Sequence, residues 1–131
     1  MPKGPIMKTV AFKKVECILP VVPVCDALAS LRFYRDVLGF VREWGCEGPN
    51  DLGSLGRDGC SIMIRGGVAP NGHVMELWIG VDNVDPIYDA CRAHGSEIIH
   101  PPRDRHWARE MRVKDPDGHI LWFGSDPAPK P

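Results

Sequence analysis

The chain has 131 residues, 44% hydrophobic and 25% charged, with 16 Lys and Arg against 17 Asp and Glu. This is one domain's worth of sequence, and a net charge of −1 supplies neither a basic stripe for nucleic acid nor an acid excess for a polycationic ligand. No apolar run approaches the roughly 18–20 residues that span a bilayer, and the first nine residues lack the apolar segment of a secretory signal, so a cytoplasmic protein away from membranes is expected. The five cysteines (Cys17, Cys25, Cys46, Cys60, Cys91) are scattered without a C-x-x-C pair, as reduced thiols used mostly to fill the core.

In chain order, residues 17–24 are β-branched and apolar enough for a strand. Pro20 and Pro23 confine it to an edge, because each lacks the N–H a central ladder needs. Asp26 is a natural N-cap, Leu28, Leu31, Tyr34 or Arg35, and Leu38 recur at helical spacing, and Gly39 supplies the left-handed residue after the helix. Strands are expected at 40–46, 52–57 and 61–65, with a tight turn at 57–59. Residues 66–72, a Gly/Pro/Asn cluster, read as a linker.

The pattern then restarts. A strand is expected over 73–81, and Asp85 followed by Pro86 reads as an N-cap with proline in the first turn. Ile87, Ala90 or Cys91, and His94 mark a helix face that Gly95 ends. Strands at 98–100, 110–114 and 119–123 follow, the last two joined by a turn over 115–118, and the tail from residue 125 is expected to pack loosely. Strand, capped helix, glycine and three strands thus occur twice, as module one (about 16–65) and module two (about 73–124) of a single domain spanning 1–131. The expected fold is α+β: two pseudo-repeated βαβββ modules whose curled mixed sheets surround a crevice, with helices on the outer face.

Three stretches carry a family resemblance: LPVVPVCD (19–26) with LRFYRDVLGF (31–40), and RVKDPDGH (112–119). They resemble the vicinal oxygen chelate superfamily, which holds glyoxalase I, extradiol dioxygenases and the fosfomycin- and bleomycin-resistance proteins. Within it, HWARE (106–110) and ELWIGV (76–81) are most similar to bleomycin-binding proteins, although His106 stands where proline is usual and Ala108 where glycine is usual. The resemblance also implies where the metalloenzymes would place ligands: Leu19, Glu76 and Trp122 here. Leucine and tryptophan cannot ligate a divalent ion, so no metal, no cofactor and no catalytic residue is expected. None of the five histidines pairs with another at i, i+2 or i, i+4, and surface or packing roles are expected for them.

Strand alternation puts Glu76, Trp78 and Gly80 on one face and Leu77, Ile79 and Val81 on the other, so Trp78 should face the crevice, as should Trp122. The resemblance adds Trp44 and Trp107 at its rim. Met63 and Arg65 share the inner face of the fourth strand, where Arg65 fits either a pairing with Glu76 or an anionic or neutral ligand. The leading expectation is a non-catalytic protein that sequesters a planar, aromatic, drug-like molecule, as in bleomycin resistance. The resemblance further implies a homodimer exchanging its first strand about a hinge at Pro20. The alternatives are a metal-dependent lyase, isomerase, transferase or dioxygenase of the same superfamily, and a sensor or scaffold with a closed crevice.

Overall fold

A computed structural model describes residues 11–69 and 71–127. Its first sheet begins with β1 (Val21–Pro23), and the chain turns into α1 (Ala27–Asp36) where the Asp26 carboxylate accepts from the Leu28 and Ala29 N–H groups at 2.8 and 3.2 Å. β2 (Val41–Gly45), β3 (Leu52–Arg57) and β4 (Cys60–Arg65) complete a sheet in the order β1-β4-β3-β2, with β1 parallel to β4 and the other pairs antiparallel. The β3–β4 turn needs two left-handed residues, and Asp58 and Gly59 supply them at φ 52° and 78°.

The second half repeats the plan: β5 (Glu76–Gly80), α2 (Asp85–His94), β6 (Ile98–Asp104), β7 (Arg109–Lys114) and β8 (Ile120–Ser125), in the order β5-β8-β7-β6. The expected α+β fold of two similar halves is the observed one. Alternation along the strands buries one face of each sheet under a helix: Val22, Leu55, Ile62 and Ile64 in the first, Met111, Val113, Leu121 and Phe123 in the second. These join Phe33 and Tyr34 of α1 and Cys91 of α2 in one continuous core. Both helices have ten residues, and among the described residues no helix is long and apolar enough to cross a membrane.

Several expectations need correction. The first strand shortens from 17–24 to β1, because Pro20 just before it and Pro23 at its last position have no N–H to donate. The α1 face is rotated: Ala27, Ser30, Phe33 and Tyr34 are buried, while Leu28 and Leu31 are half-buried and Arg35 is exposed. Asp85 does not cap α2; Val84 holds the cap position, Asn83 Oδ1 accepts the Asp85 N–H, and the Asp85 carboxylate turns to Arg109 at 2.9 Å. β6 runs through Pro101 and Pro102, which an edge strand with register shifts accommodates. Only Cys46 and Cys91 are buried, while Cys17, Cys25 and Cys60 are exposed, so the cysteines are not mostly core fillers. Pro70 of the linker and the tail beyond residue 127 lie outside the described residues.

The halves meet at the turn between β7 and β8. Asp115 is buried there, its Oδ1 accepting from the Asp117 and His119 N–H groups (both 2.9 Å) and its Oδ2 from the Tyr34 hydroxyl at 2.9 Å. Asp117 reaches back to the Cys25 N–H at 2.9 Å and the Ser30 hydroxyl at 3.2 Å. His119, fully buried, accepts the Met75 N–H on Nδ1 at 3.0 Å. Its proton therefore sits on Nε2, which donates to the Pro23 carbonyl at 2.6 Å. Burial raises the Asp115 pKa, with the hydrogen bonds opposing the shift; burial, with Asp115 beside it, pushes the Tyr34 hydroxyl well above its usual value.

Tyr34→Phe leaves one Asp115 oxygen buried without its donor and should cost about 1.5–3 kcal/mol at pH 7. A carboxyl whose folded pKa is raised favours the fold when protonated and loses that contribution as pH rises through the folded value. The substitution raises it further, so the deficit should shrink as pH falls toward the unfolded carboxyl value. Urea melts of both proteins at pH 7 and pH 5 check this, and a deficit that grows at pH 5 contradicts it.

Candidate ligand-binding site

The helix-free face of the second sheet is built around three registered pairs: Trp78 beside Trp122, Arg112 beside Trp122, and Glu110 beside Gly124. Trp78 and Trp122 meet edge to face, centroids 4.9 Å apart and planes at 89°. Gly124 makes this possible, since a Cβ there would overlap the six-membered ring of Trp78. Trp122 donates its Nε1–H to Glu110 Oε2 at 3.0 Å, and the Arg112 guanidinium lies 4.3 Å over its ring. Arg112 also pairs with Glu76 at 3.3 Å. Glu110 is only 4% exposed, with Arg105 at 3.9 Å from its other oxygen. Trp122 is thus held on several sides and acts as the support of Trp78.

Trp78 keeps an open face. It is 53% exposed and, with Trp107 at 56%, lines a groove of about 510 Å³. The small residues Gly80, Ala108 and Gly124 leave that space, and Val81, Asp82, Ser125 and Asp126 complete the lining. Trp107 sits on the short β6–β7 loop, which Arg105 N–H closes onto the Ala108 carbonyl at 2.8 Å. At the base of that loop Arg109 pairs with Asp85 at 2.9 Å and Asp104 at 3.0 Å. His106 touches the Trp107 ring edge-on at 4.7 Å, and Arg105 lies 5.8 Å from its centroid. A planar ring entering this groove finds an indole surface on two elements.

The remaining predicted residues lie on the first sheet. Trp44 is on its edge strand β2, 49% exposed, apart from the other three tryptophans. Met63 and Arg65 share the helix-free face of β4, but Arg65 does not pair with Glu76, whose partner is Arg112; among the described residues Arg65 has no ion pair. The structure therefore brings together Trp78, Trp107, Trp122 and Glu76 on one sheet, and Trp44, Met63 and Arg65 on the other.

Sequence reasoning passes over Glu43. Its Oε1 accepts hydroxyl hydrogen bonds from Ser54 at 2.8 Å and Ser61 at 2.7 Å, and these two bonds lower its pKa. A register shift between Arg42 and Trp44 hides it, because the extra residue breaks the alternation that would assign Glu43 a face. As for a metal, Leu19 and Trp122 offer no donor atom and the Glu76 carboxylate is paired with Arg112. Among the described residues no three His, Cys, Asp or Glu side chains converge to hold an ion. The donor set does not fit a metal centre at the positions the superfamily's enzymes use.

The family model for the Glyoxalase/Bleomycin resistance protein/Dioxygenase superfamily matches residues 17–123. No curated protein matches the chain. Among solved structures, TnmS3, an antibiotic binding protein from Streptomyces sp. CB03234, is 22% identical, with 90% of this chain and 99% of that one covered at a TM-score of 0.72. TioX from Micromonospora sp. ML1 is 23% identical, with 84% and 99% covered and a TM-score of 0.69. A glyoxalase/bleomycin resistance protein, also from Streptomyces sp. CB03234, is 23% identical, with 81% and 96% covered and a TM-score of 0.67. At these identities the likeness is one of fold.

Gly124→Ala tests the arrangement directly. The added methyl must displace the Trp78 ring, at a cost of about 1–3 kcal/mol for overpacking. The exciton signal that two indoles in edge-to-face contact give in far-ultraviolet circular dichroism should fall while the rest of the spectrum is kept. An unchanged signal places the Trp78 ring elsewhere.

Proposed function

The chain belongs to the Glyoxalase/Bleomycin resistance protein/Dioxygenase superfamily, and on that footing we propose that it is a non-catalytic binding protein sequestering a planar aromatic small molecule. One observation carries this reading: two half-exposed indoles, Trp78 and Trp107, line one groove whose other lining residues are mostly small. Each ring stacked on a ligand plane contributes about 0.5–1.5 kcal/mol beyond the area it buries. TnmS3, with the same fold, is an antibiotic binding protein, which makes bleomycin-type and other planar drugs the first ligands to try. The metal-dependent alternative needs donors that Leu19 and Trp122 do not supply.

In this reading the protein works as a cytoplasmic homodimer, and a second copy brings its first sheet, with Trp44, Met63 and Arg65, over the groove. In the single chain β1 pairs with its own β4, the Pro20 carbonyl accepting from Met63 N–H at 2.9 Å. Ahead of Pro20, Phe12, Val15 and Ile18 are all exposed, which supports Pro20 as the hinge of an arm that crosses to the other subunit. Exposed apolar residues along one segment are the usual mark of a contact surface.

Two measurements test the reading. Light scattering at micromolar concentration should give about twice the 14.5 kDa chain mass, and a monomer removes the dimer. Trp78→Ala should weaken binding of a planar drug found in a tryptophan-quenching screen by about 1–4 kcal/mol, with fold and assembly intact because the ring is half-exposed. Unchanged affinity for every planar ligand that binds would place the site elsewhere.

A further inference from the structure

On the helix-free face of the first sheet, three strands cooperate to hold one carboxylate. Ser54 of β3 and Ser61 of β4 both donate to Glu43 Oε1, and Gly56 leaves the hollow in which the carboxylate lies, since a Cβ there would meet the Glu43 carboxyl atoms. Ser54 is 2% exposed, so its hydroxyl is committed to this contact. The sheet does not need the arrangement for its register, which the backbone pairs Ser54 with Met63 and Gly56 with Ser61 already fix. Two bonds fall on Oε1, and no hydrogen bond or ion pair in the described residues uses Oε2. A carboxylate has about four acceptor positions, and Glu43 is exposed, so the positions the serines do not use face solvent.

We infer that Glu43 is a preformed anchor for a protonated nitrogen carried by the ligand. The inference rests on the binding reading above, including the second copy that brings its first sheet over the groove, and narrows it to planar aromatic molecules bearing an ammonium or amidinium group. Nearby cations are engaged elsewhere: Arg57 with Asp58 and the Leu38 carbonyl, Arg42 with the Gly45 carbonyl. Arg65 is on the same face of β4 but four residues from Ser61, about 13 Å along a strand and beyond the ~8 Å screening length at physiological salt. It therefore does not neutralise Glu43. Trp44, the next residue in β2, pairs in register with Ser54 and is half-exposed, which leaves an indole on the same strand as the carboxylate for a cationic ring substituent. Fixing a flexible glutamate before the ligand arrives removes an ordering cost from binding. The two serine bonds that favour ionisation act in the same direction as the proposed partner.

The experiment uses two probes with one three-ring plane, 9-aminoacridine, which is a cation at neutral pH, and acridone, which is neutral. Calorimetric titration of the whole protein should show the cation bound roughly tenfold more tightly, the scale of one charge-assisted hydrogen bond. Glu43→Gln keeps an amide oxygen for both serines and should bring the two affinities within about twofold, leaving acridone unchanged. Ser61→Ala, which loosens the anchor and keeps its charge, should lower the preference to roughly threefold and serves if the first variant does not fold. Equal affinities on the native protein overturn the inference and leave the aromatic-binding reading standing. Failure of both probes to bind overturns both. A Glu43→Gln protein that keeps the cation preference but shifts its dimer midpoint in light scattering assigns the carboxylate to a subunit contact and overturns the inference.

Discussion

A carboxylate buried at the junction of the two halves sets the conditions for everything else in this protein. Left alone in the interior, the Asp115 side chain would carry a desolvation cost of several kcal/mol. It is stable there because its own turn supplies two N–H donors and α1 of the other half supplies the Tyr34 hydroxyl. The same turn carries Asp117 and His119, and their bonds to Cys25, Ser30, Met75 and Pro23 fasten the start of both sheets to one point. Two four-stranded sheets that share no strand pairing are thereby held in one orientation. A polar junction of this kind specifies geometry more than it adds stability, since every group in it exchanges water for a protein partner.

With the junction fixed, each sheet is free to use its helix-free face, and the two faces have diverged. In the second half the face is aromatic: Glu110 and Arg112 hold Trp122, Trp122 holds Trp78, and glycine at 124 gives Trp78 its place. In the first half the equivalent face is polar, with two serines and a glycine arranged around Glu43 and a cation, Arg65, farther along β4. One backbone plan thus presents stacking surface on one sheet and hydrogen-bonding capacity on the other.

Much of this was legible in the sequence where a local rule governs the outcome. The repeated order of elements, the Asp26 cap, the Gly95 stop, and the placing of Trp78 opposite the core-packed Leu77 and Ile79 all follow from spacing alone. The failures occur where a distant group decides. Asp85 looks like a cap but is drawn off by Arg109, 24 residues away. Phe33 is buried because α1 must also cover the second half and meet His94 at 5.6 Å, which rotates the face that periodicity picks out. His119 reads as an ordinary residue after a turn glycine, and only the folded chain shows that its two nitrogens join both sheets. Glu43 is lost to a single extra residue in β2, because a one-residue slip exchanges the faces of a strand.

The two walls of the groove differ in how they are mounted. Trp78 projects from the middle of a paired strand and rests on Gly124, so its position is that of the sheet. Trp107 projects from a four-residue loop whose footing is a pair of partly exposed ion pairs on Arg109, each the kind of contact that contributes about 0–1 kcal/mol. The groove is a vice with one fixed jaw and one sprung jaw. For the planar ligand proposed above, such a mounting would be strict about the outline of what lies flat on the fixed side and lenient about its thickness, so that flat molecules of one silhouette but different substituents above the plane would share the same grip.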